Sequence, residues 1–114
     1  MNHLAFWKEI GAGALTGAPR RPGPIVNSET FGPPGDPADE AAWQEALARL
    51  RAAHAALRAA VAGLTDADLD QPLPGEDTTR EELVLGLIAH DAYHLGQIVL
   101  IRKLAEAAAG GAGA

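Results

Sequence analysis

The chain contains no cysteine, few aromatic residues and few basic residues. The absence of cysteine excludes disulfides, thiolate metal ligands and a cysteine nucleophile. With 9 basic residues against 15 acidic ones, the formal net charge is −6, so the clustered positive charge that binds nucleic acid is lacking. The N-terminus also lacks the basic region and apolar run of a signal peptide. We therefore expect a cytoplasmic protein without a nucleic-acid partner.

One stretch, from Leu83 to Ile101, is apolar over about the length of a membrane span. Polar residues interrupt it near the centre, among them His90, Asp91 and His94. An aspartate at the middle of a bilayer costs roughly 2.5–3.5 kcal/mol on insertion scales. We interpret the stretch as a buried helix of a soluble protein and expect no membrane association.

Glycine and proline divide the chain into three helical pieces. A Pro/Gly-rich loop covers residues 16–36, and a shorter break follows Thr65. The predicted helices are therefore residues 2–15, 37–63 and 79–108, in a single domain of residues 1–109. Residues 110–114 are glycine and alanine only and are predicted to form a disordered tail.

Capping residues and apolar periodicity define these helices. Asp36 is a candidate N-cap followed by Pro37, and Thr78 or Thr79 is followed three residues later by a glutamate. Steps of three and four give two seams, Trp43, Leu47, Leu50, His54, Leu57, Val61 and Leu83, Leu87, His90, His94, Gln97, Ile101, Leu104. No strand pattern competes. The predicted fold class is all-α, an up-down antiparallel helical bundle.

Two histidines of the last seam have metal-ligand spacing. His90 and His94 are four residues apart and lie about 40° apart on one helical face. Two imidazoles in this arrangement can bind one metal ion, as in zinc proteases. Burying them without partners would cost a few kcal/mol, which a metal would offset. The alternative is that they hydrogen-bond to the backbone or to each other, or that this face is solvated; we favour the metal site.

A third histidine, His3, lies in an apolar segment with Trp7 one turn away. It becomes a ligand only if the first helix packs against the third, and it is otherwise a solvated terminal residue. Three imidazoles with open positions for water suit zinc or nickel, with iron and manganese as alternatives.

Several neighbours are candidates for supporting roles. Gln97, Tyr93 and Asp91 lie near the histidine face and are candidates to orient a ligand through hydrogen bonds. For Gln97, orienting a bound water and a helix-packing amide are alternatives, the packing amide on an equal footing. We interpret His54 as a partly buried helix residue near a bundle end, with contact to the metal site as the lesser alternative. No nucleophile motif, phosphate loop or dinucleotide fingerprint is present, so the catalytic residues stay unknown.

Two segments resemble a known family, the DinB-like (YfiT-like) metal-binding proteins. Residues 86–98, GLIAHDAYHLGQI, resemble the last helix of that family, and residues 3–7, HLAFW, resemble its second helix. The resemblance implies a four-helix bundle with a metal site formed by His3, His90 and His94. It also implies activities such as thiol-dependent S-transfer or metal-dependent isomerisation, and frequent dimers.

In that family a further helix precedes the first histidine, so we expect a bundle that lacks its first helix and retains three. The leading functional hypothesis is a metal-dependent hydrolase or thiol-dependent S-transferase acting with a small-molecule thiol or another small substrate. The alternative is a non-catalytic metal-binding or helical interaction protein, including an inactive truncated form. Because the third helix is apolar almost all round, we expect a homodimer through helical faces.

Overall fold

A computed structural model describes residues 1–19 and 21–112. It contains helix α1 (Asn2–Thr16), a 3-10 helix (Asn27–Phe31), and helices α2 (Glu40–Ala62), α3 (Asp66–Leu69) and α4 (Arg80–Ala112). No strand is formed by these residues; the backbone pairing of Pro72 with Thr79 is an isolated bridge. The predicted all-α bundle is confirmed.

The start of α2 differs from the prediction. Asp39, not Asp36, is the N-cap, and its Oδ1 accepts a hydrogen bond of 3.0 Å from the Ala42 N–H. Asp36 instead accepts from the Ala38 N–H and closes a turn just before the helix. At α4 we predicted Thr78 or Thr79 as the cap, and it is Thr79, whose hydroxyl accepts a hydrogen bond from the Glu82 N–H at 3.1 Å.

The last helix is longer than predicted. It was expected to end near residue 108 and to be followed by a disordered tail from Gly110, but α4 continues to Ala112. Alanine has the highest helix propensity, and the alanines on both sides carry the helix across the glycines. Residues 113–114 lie outside the described residues.

Both predicted breaks contain short ordered elements. The 3-10 helix lies within the Pro/Gly-rich loop, and α3 lies within the second break. Thr65 and Asp68 form a capping box at α3, and the bonds from Thr65 hold the pKa of the Asp68 carboxyl below its usual value. Each element is too short to show a helical period in the sequence.

Helices α1 and α2 run in the same direction. At the middle of α1, Glu9 pairs with Arg49, and near its end Leu15 clusters with Leu57 and Ala60, which lie further along α2. A connection of 23 residues, about 75 Å if extended, easily returns along a helix about 22 Å long. The antiparallel relation that we predicted therefore holds for α4 against α1, while α2 lies parallel to α1.

Helix α4 packs against α1 through one face. Near the end of α1, Gly11 allows close approach, because an added Cβ would lie only 2.6 Å from Leu87 Cδ1. At the start of α1, His3 meets His90. The packing of the first turn of α1 on the middle of α4 therefore positions the candidate site, and α4 continues past the point where α1 begins.

We expected the apolar stretch of α4 to be buried, and much of it is exposed. Leu85, Leu95 and Leu100 are 57%, 60% and 59% exposed, because α1 covers only one face of this helix. By length and composition alone, α4 is also long and apolar enough to cross a membrane.

Candidate metal centre

The imidazole rings of His3, His90 and His94 converge on one point. His3 Nε2 lies 3.0 Å from His90 Nε2, and His94 Nε2 lies 3.1 Å from the same atom. A candidate ligand nitrogen of each ring lies within 4.8 Å of the others. The structure thus brings together the three residues that the sequence and the family resemblance indicated.

Helical spacing within α4 and the packing of α1 against α4 position the three rings. One turn of α4 separates His90 from His94, and their centroids lie 4.5 Å apart. Antiparallel packing brings the first turn of α1 to the same level, where His3 is buried with 6% exposure. The end of one helix and the middle of another therefore form the site.

Thr30 determines which nitrogen of His3 faces the other histidines. The Thr30 hydroxyl donates its only hydrogen to the Asn27 carbonyl at 2.6 Å. Its oxygen lies 2.6 Å from His3 Nδ1 and must therefore accept from that nitrogen. With the proton on Nδ1, neutral His3 presents the bare lone pair of Nε2 to the centre.

Gln97 has the same effect on His94. The Gln97 side-chain oxygen Oε1 lies 2.7 Å from His94 Nδ1 and accepts its proton. The Nε2 lone pair of His94 therefore also faces the centre. Of the roles considered for Gln97, the structure shows the hydrogen bond to His94.

His90 Nε2 lies between two nitrogens that present lone pairs. If it carries a proton, it can donate to only one of them, and if it does not, three lone pairs face each other. Of the two close Nε2 pairs, His3–His90 and His90–His94, at most one can therefore be joined by a hydrogen bond. In the other pair, two lone pairs face each other. A tetrahedral zinc ion with Zn–N bonds of 2.0–2.1 Å would separate its nitrogens by about 3.3 Å, close to the observed spacing. The donor set fits a metal ion.

Burial favours the neutral rings that bind metals. Burial, and then the nearby His94 and His90, hold the pKa of His3 below its ordinary value. Burial and His94 likewise lower the pKa of His90, although Asp91 acts in the opposite direction. Both residues are therefore neutral and available as ligands at pH 7.

Aromatic rings enclose His3. The Phe31 ring stacks on it with centroids 3.9 Å apart and planes 8° apart, and Trp7 approaches edge-on at 6.5 Å. Together with Thr30, the 3-10 helix thus supplies two contacts to one candidate ligand. Sequence reasoning missed both residues, because a loop without periodicity gives no signal for them.

Asp91 does not support a histidine, contrary to one of our predictions. Its Oδ2 lies 2.5 Å from the Nζ of Lys8, which is 5% exposed. The same Nζ donates to His54 Nδ1 at 3.2 Å. His54 therefore belongs to a neighbouring polar network that joins α1, α2 and α4, and not to the three-histidine cluster. This network was also not predicted.

Tyr93 lies at the edge of the site. Its ring contacts His94 edge-on with centroids 5.1 Å apart, and the side chain is 65% exposed. The contact is aromatic packing, and not the hydrogen bond to a ligand that we predicted.

An open cleft of about 1030 Å³ adjoins His3. The 3-10 helix, the loop that follows it and the first turns of α2 form its walls, which include Phe31, Trp43 and Arg49. Arg49 is held there by a two-pronged ion pair with Glu9. The cleft is large enough for a small organic molecule.

Comparison with known proteins agrees with the resemblance of the two histidine segments. The family model described as DinB superfamily matches residues 1–98, a range that includes His3, His90 and His94. Comparisons with curated proteins and with solved structures give no significant match.

Proposed function

We propose that this chain, which belongs to the DinB superfamily, binds one divalent metal ion through the Nε2 atoms of His3, His90 and His94. The observation that supports this most strongly is the pair of hydrogen bonds from Nδ1 atoms, His3 to Thr30 and His94 to Gln97. They direct lone pairs towards His90 Nε2, an arrangement that favours a cation.

Three neutral imidazoles favour zinc or nickel, with iron and manganese as alternatives. Three protein ligands leave at least one coordination position for water or substrate, as in catalytic zinc sites. We therefore propose a metal-dependent hydrolase or thiol-dependent S-transferase. A bound metal ion would lower the pKa of a coordinated water or thiol and so supply the nucleophile.

The chain's own residues would hold and shield this centre. Thr30 and Gln97 keep two ligands in the required tautomer, and Phe31 excludes water from one face of His3. The cleft beside His3 would receive the small substrate.

A second candidate function is metal binding without catalysis. It is favoured by Asp91, the carboxylate next to a ligand in the sequence, because its ion pair with Lys8 makes it a poor general base. The two candidates share the metal site and differ in turnover.

An activity screen separates them. Untagged protein, metal-free or loaded with zinc or nickel, is assayed against a panel of esters and amides, and for transfer of a low-molecular-weight thiol to an electrophile. We expect turnover that requires the metal and is lost in His94→Ala. His54→Gln, which removes a histidine outside the cluster, should keep it. Bound metal without turnover, both on the esters and amides and in the thiol-transfer assay, would contradict the enzyme proposal and support the non-catalytic one.

A further inference from the structure

The cleft beside His3 offers exposed aromatic surface to a ligand. Phe31 and Trp43 line it and are 47% and 46% exposed. His3 stacks on one face of the Phe31 ring, so the exposed part of that ring is its opposite face and its edge. A ligand in the cleft can therefore contact the π surface of two rings.

The charges along the same cleft are mostly negative. Its lining includes four acidic residues, Asp36, Asp39, Glu40 and Glu45. Among the described lining residues, Arg49 has the only basic side chain, and Glu9 already holds it in the two-pronged ion pair. With the amino group of Met1 counted as a second cation, the carboxylates are still in excess. An anionic ligand would therefore meet net repulsion in the cleft.

Hydrogen bonds within the wall do not remove this negative charge. Asp36 and Asp39 accept from backbone N–H groups, and Glu40 accepts from the side-chain amide of Gln44. Neutral donors stabilise the charged form of a carboxylate and leave its charge in place. The positive end of the α2 dipole offsets only about half a unit charge, which is small against four carboxylates.

We infer that the cleft selects an organic cation, a small molecule whose protonated amine or quaternary ammonium group lies against Phe31 and Trp43. Aromatic faces and carboxylates both attract a positive charge. A neutral apolar ligand would gain from the rings alone, and an anion from neither. The inference rests on the proposed function, which places the substrate in this cleft. It narrows that function to amine-bearing esters, amides or thiols over carboxylate-bearing ones.

An NMR titration of ¹⁵N-labelled, metal-free protein tests the preference without using the metal site. The probes are choline, 3,3-dimethylbutanol and 3,3-dimethylbutanoate, which have nearly the same shape and are positive, neutral and negative. The indole N–H signal of Trp43 reports on the cleft, and that of Trp7, which is not among the described lining residues, is the internal control. We expect choline to shift the Trp43 signal with a millimolar Kd, about fivefold or more tighter than the alcohol, with the carboxylate weakest.

Matched variants separate the carboxylates of the cleft from the overall negative charge of the chain. The double variant Glu40→Gln, Glu45→Gln should weaken choline binding about threefold or more. Glu81→Gln with Glu106→Gln, the same charge change on α4 and outside the cleft, should not. Phe31→Leu should weaken choline more than the neutral alcohol, because leucine fills space without offering a π face.

Equal affinities for choline and 3,3-dimethylbutanol would overturn the inference, as would equal losses in the two double variants. So would the lack of a saturable shift of Trp43 at up to about 100 mM choline. A parallel zinc titration distinguishes this failure from that of the proposed metal site. If zinc binds without a preference for choline, only this inference fails. If choline is preferred but zinc does not bind, the metal proposal fails and the cation preference of the cleft stands.

Discussion

At the scale of single residues, the proposed site depends on Thr30, whose hydroxyl lies in a loop far in sequence from the three histidines. Its hydrogen bond fixes the tautomer of His3, and partners of this kind typically change metal affinity by about 10–100-fold. We expect Thr30→Val, which keeps the size and removes the hydroxyl, to weaken zinc binding by about that factor. Thr30→Ser should restore it.

A competition titration against a chromogenic chelator measures this effect, with a thermal melt of the metal-free variants beside it. If the metal-free variants melt at the same temperature but bind zinc with different affinities, the loss of affinity comes from a change at His3 and not from a less stable fold. Unchanged affinity in Thr30→Val would contradict the role of Thr30.

The sequence predicted the three converging histidines better than the residues that contact them. His90 and His94 followed from helical spacing, and His3 from the family resemblance and the packing that it implied. Thr30 could not be predicted because no pattern tells where a long loop folds back. Lys8 was missed as well, since its burial follows from α4 and α2 both packing against one side of α1.

At the scale of elements, the distance between α1 and α4 is set by Gly11. We expect Gly11→Val to destabilise the metal-free protein by about 1–3 kcal/mol, because even the added Cβ would lie 2.6 Å from Leu87 Cδ1. Cδ1 is the far end of the Leu87 side chain, which packs against the core, so strain that a change of its rotamer does not relieve should shift α4 and carry His90 away from His3. Zinc affinity should therefore fall together with stability.

Gly13→Ala is the matched control on the same helix. Its Cβ would meet Ala18 Cβ at 3.4 Å, an ordinary contact, and alanine favours the helix by about 1 kcal/mol. Chemical denaturation and zinc titration of both variants measure the comparison. If Gly11→Val keeps full stability and affinity, the close approach of the helices is not what positions His3.

The residue ranges of the helices were predicted more reliably than the directions in which the helices pack against each other. Thr79 and the apolar period gave the start of α4, but an apolar seam shows which face of a helix is buried and not whether the helix runs parallel or antiparallel to its neighbour. The loop before Glu40 is long enough to permit either direction, so the parallel packing of α1 and α2 had no signal. Asp36 and Asp39 are both suitable caps, and the sequence did not distinguish them.

At the scale of the whole molecule, a small core connects helices that are distant in sequence. Ala12, Leu15, Leu57 and Ala60 form its centre, and α4 contributes only partly buried side chains such as Leu87. A metal ion held between His3 and the two histidines of α4 would join the first helix to the last. A ligand that binds only the folded state stabilises it by about 2.7 kcal/mol at a hundredfold excess over Kd.

The predicted excess of apolar surface on the third helix agrees with the exposure of Leu85, Ile88 and Leu95. The homodimer that the sequence led us to expect stays a prediction. Among the described residues, the structure shows which apolar side chains of α4 are exposed.

The most direct measurement is a calorimetric titration of zinc and of nickel into untagged, metal-free protein, with histidine variants beside it. We predict one saturable site per chain for at least one of the two metals, an affinity loss of about a hundredfold or more in His90→Ala and His94→Ala, and no loss in His54→Gln. The absence of a saturable site for both metals, or equal affinity in His54→Gln and His90→Ala, would contradict the proposed three-histidine metal centre.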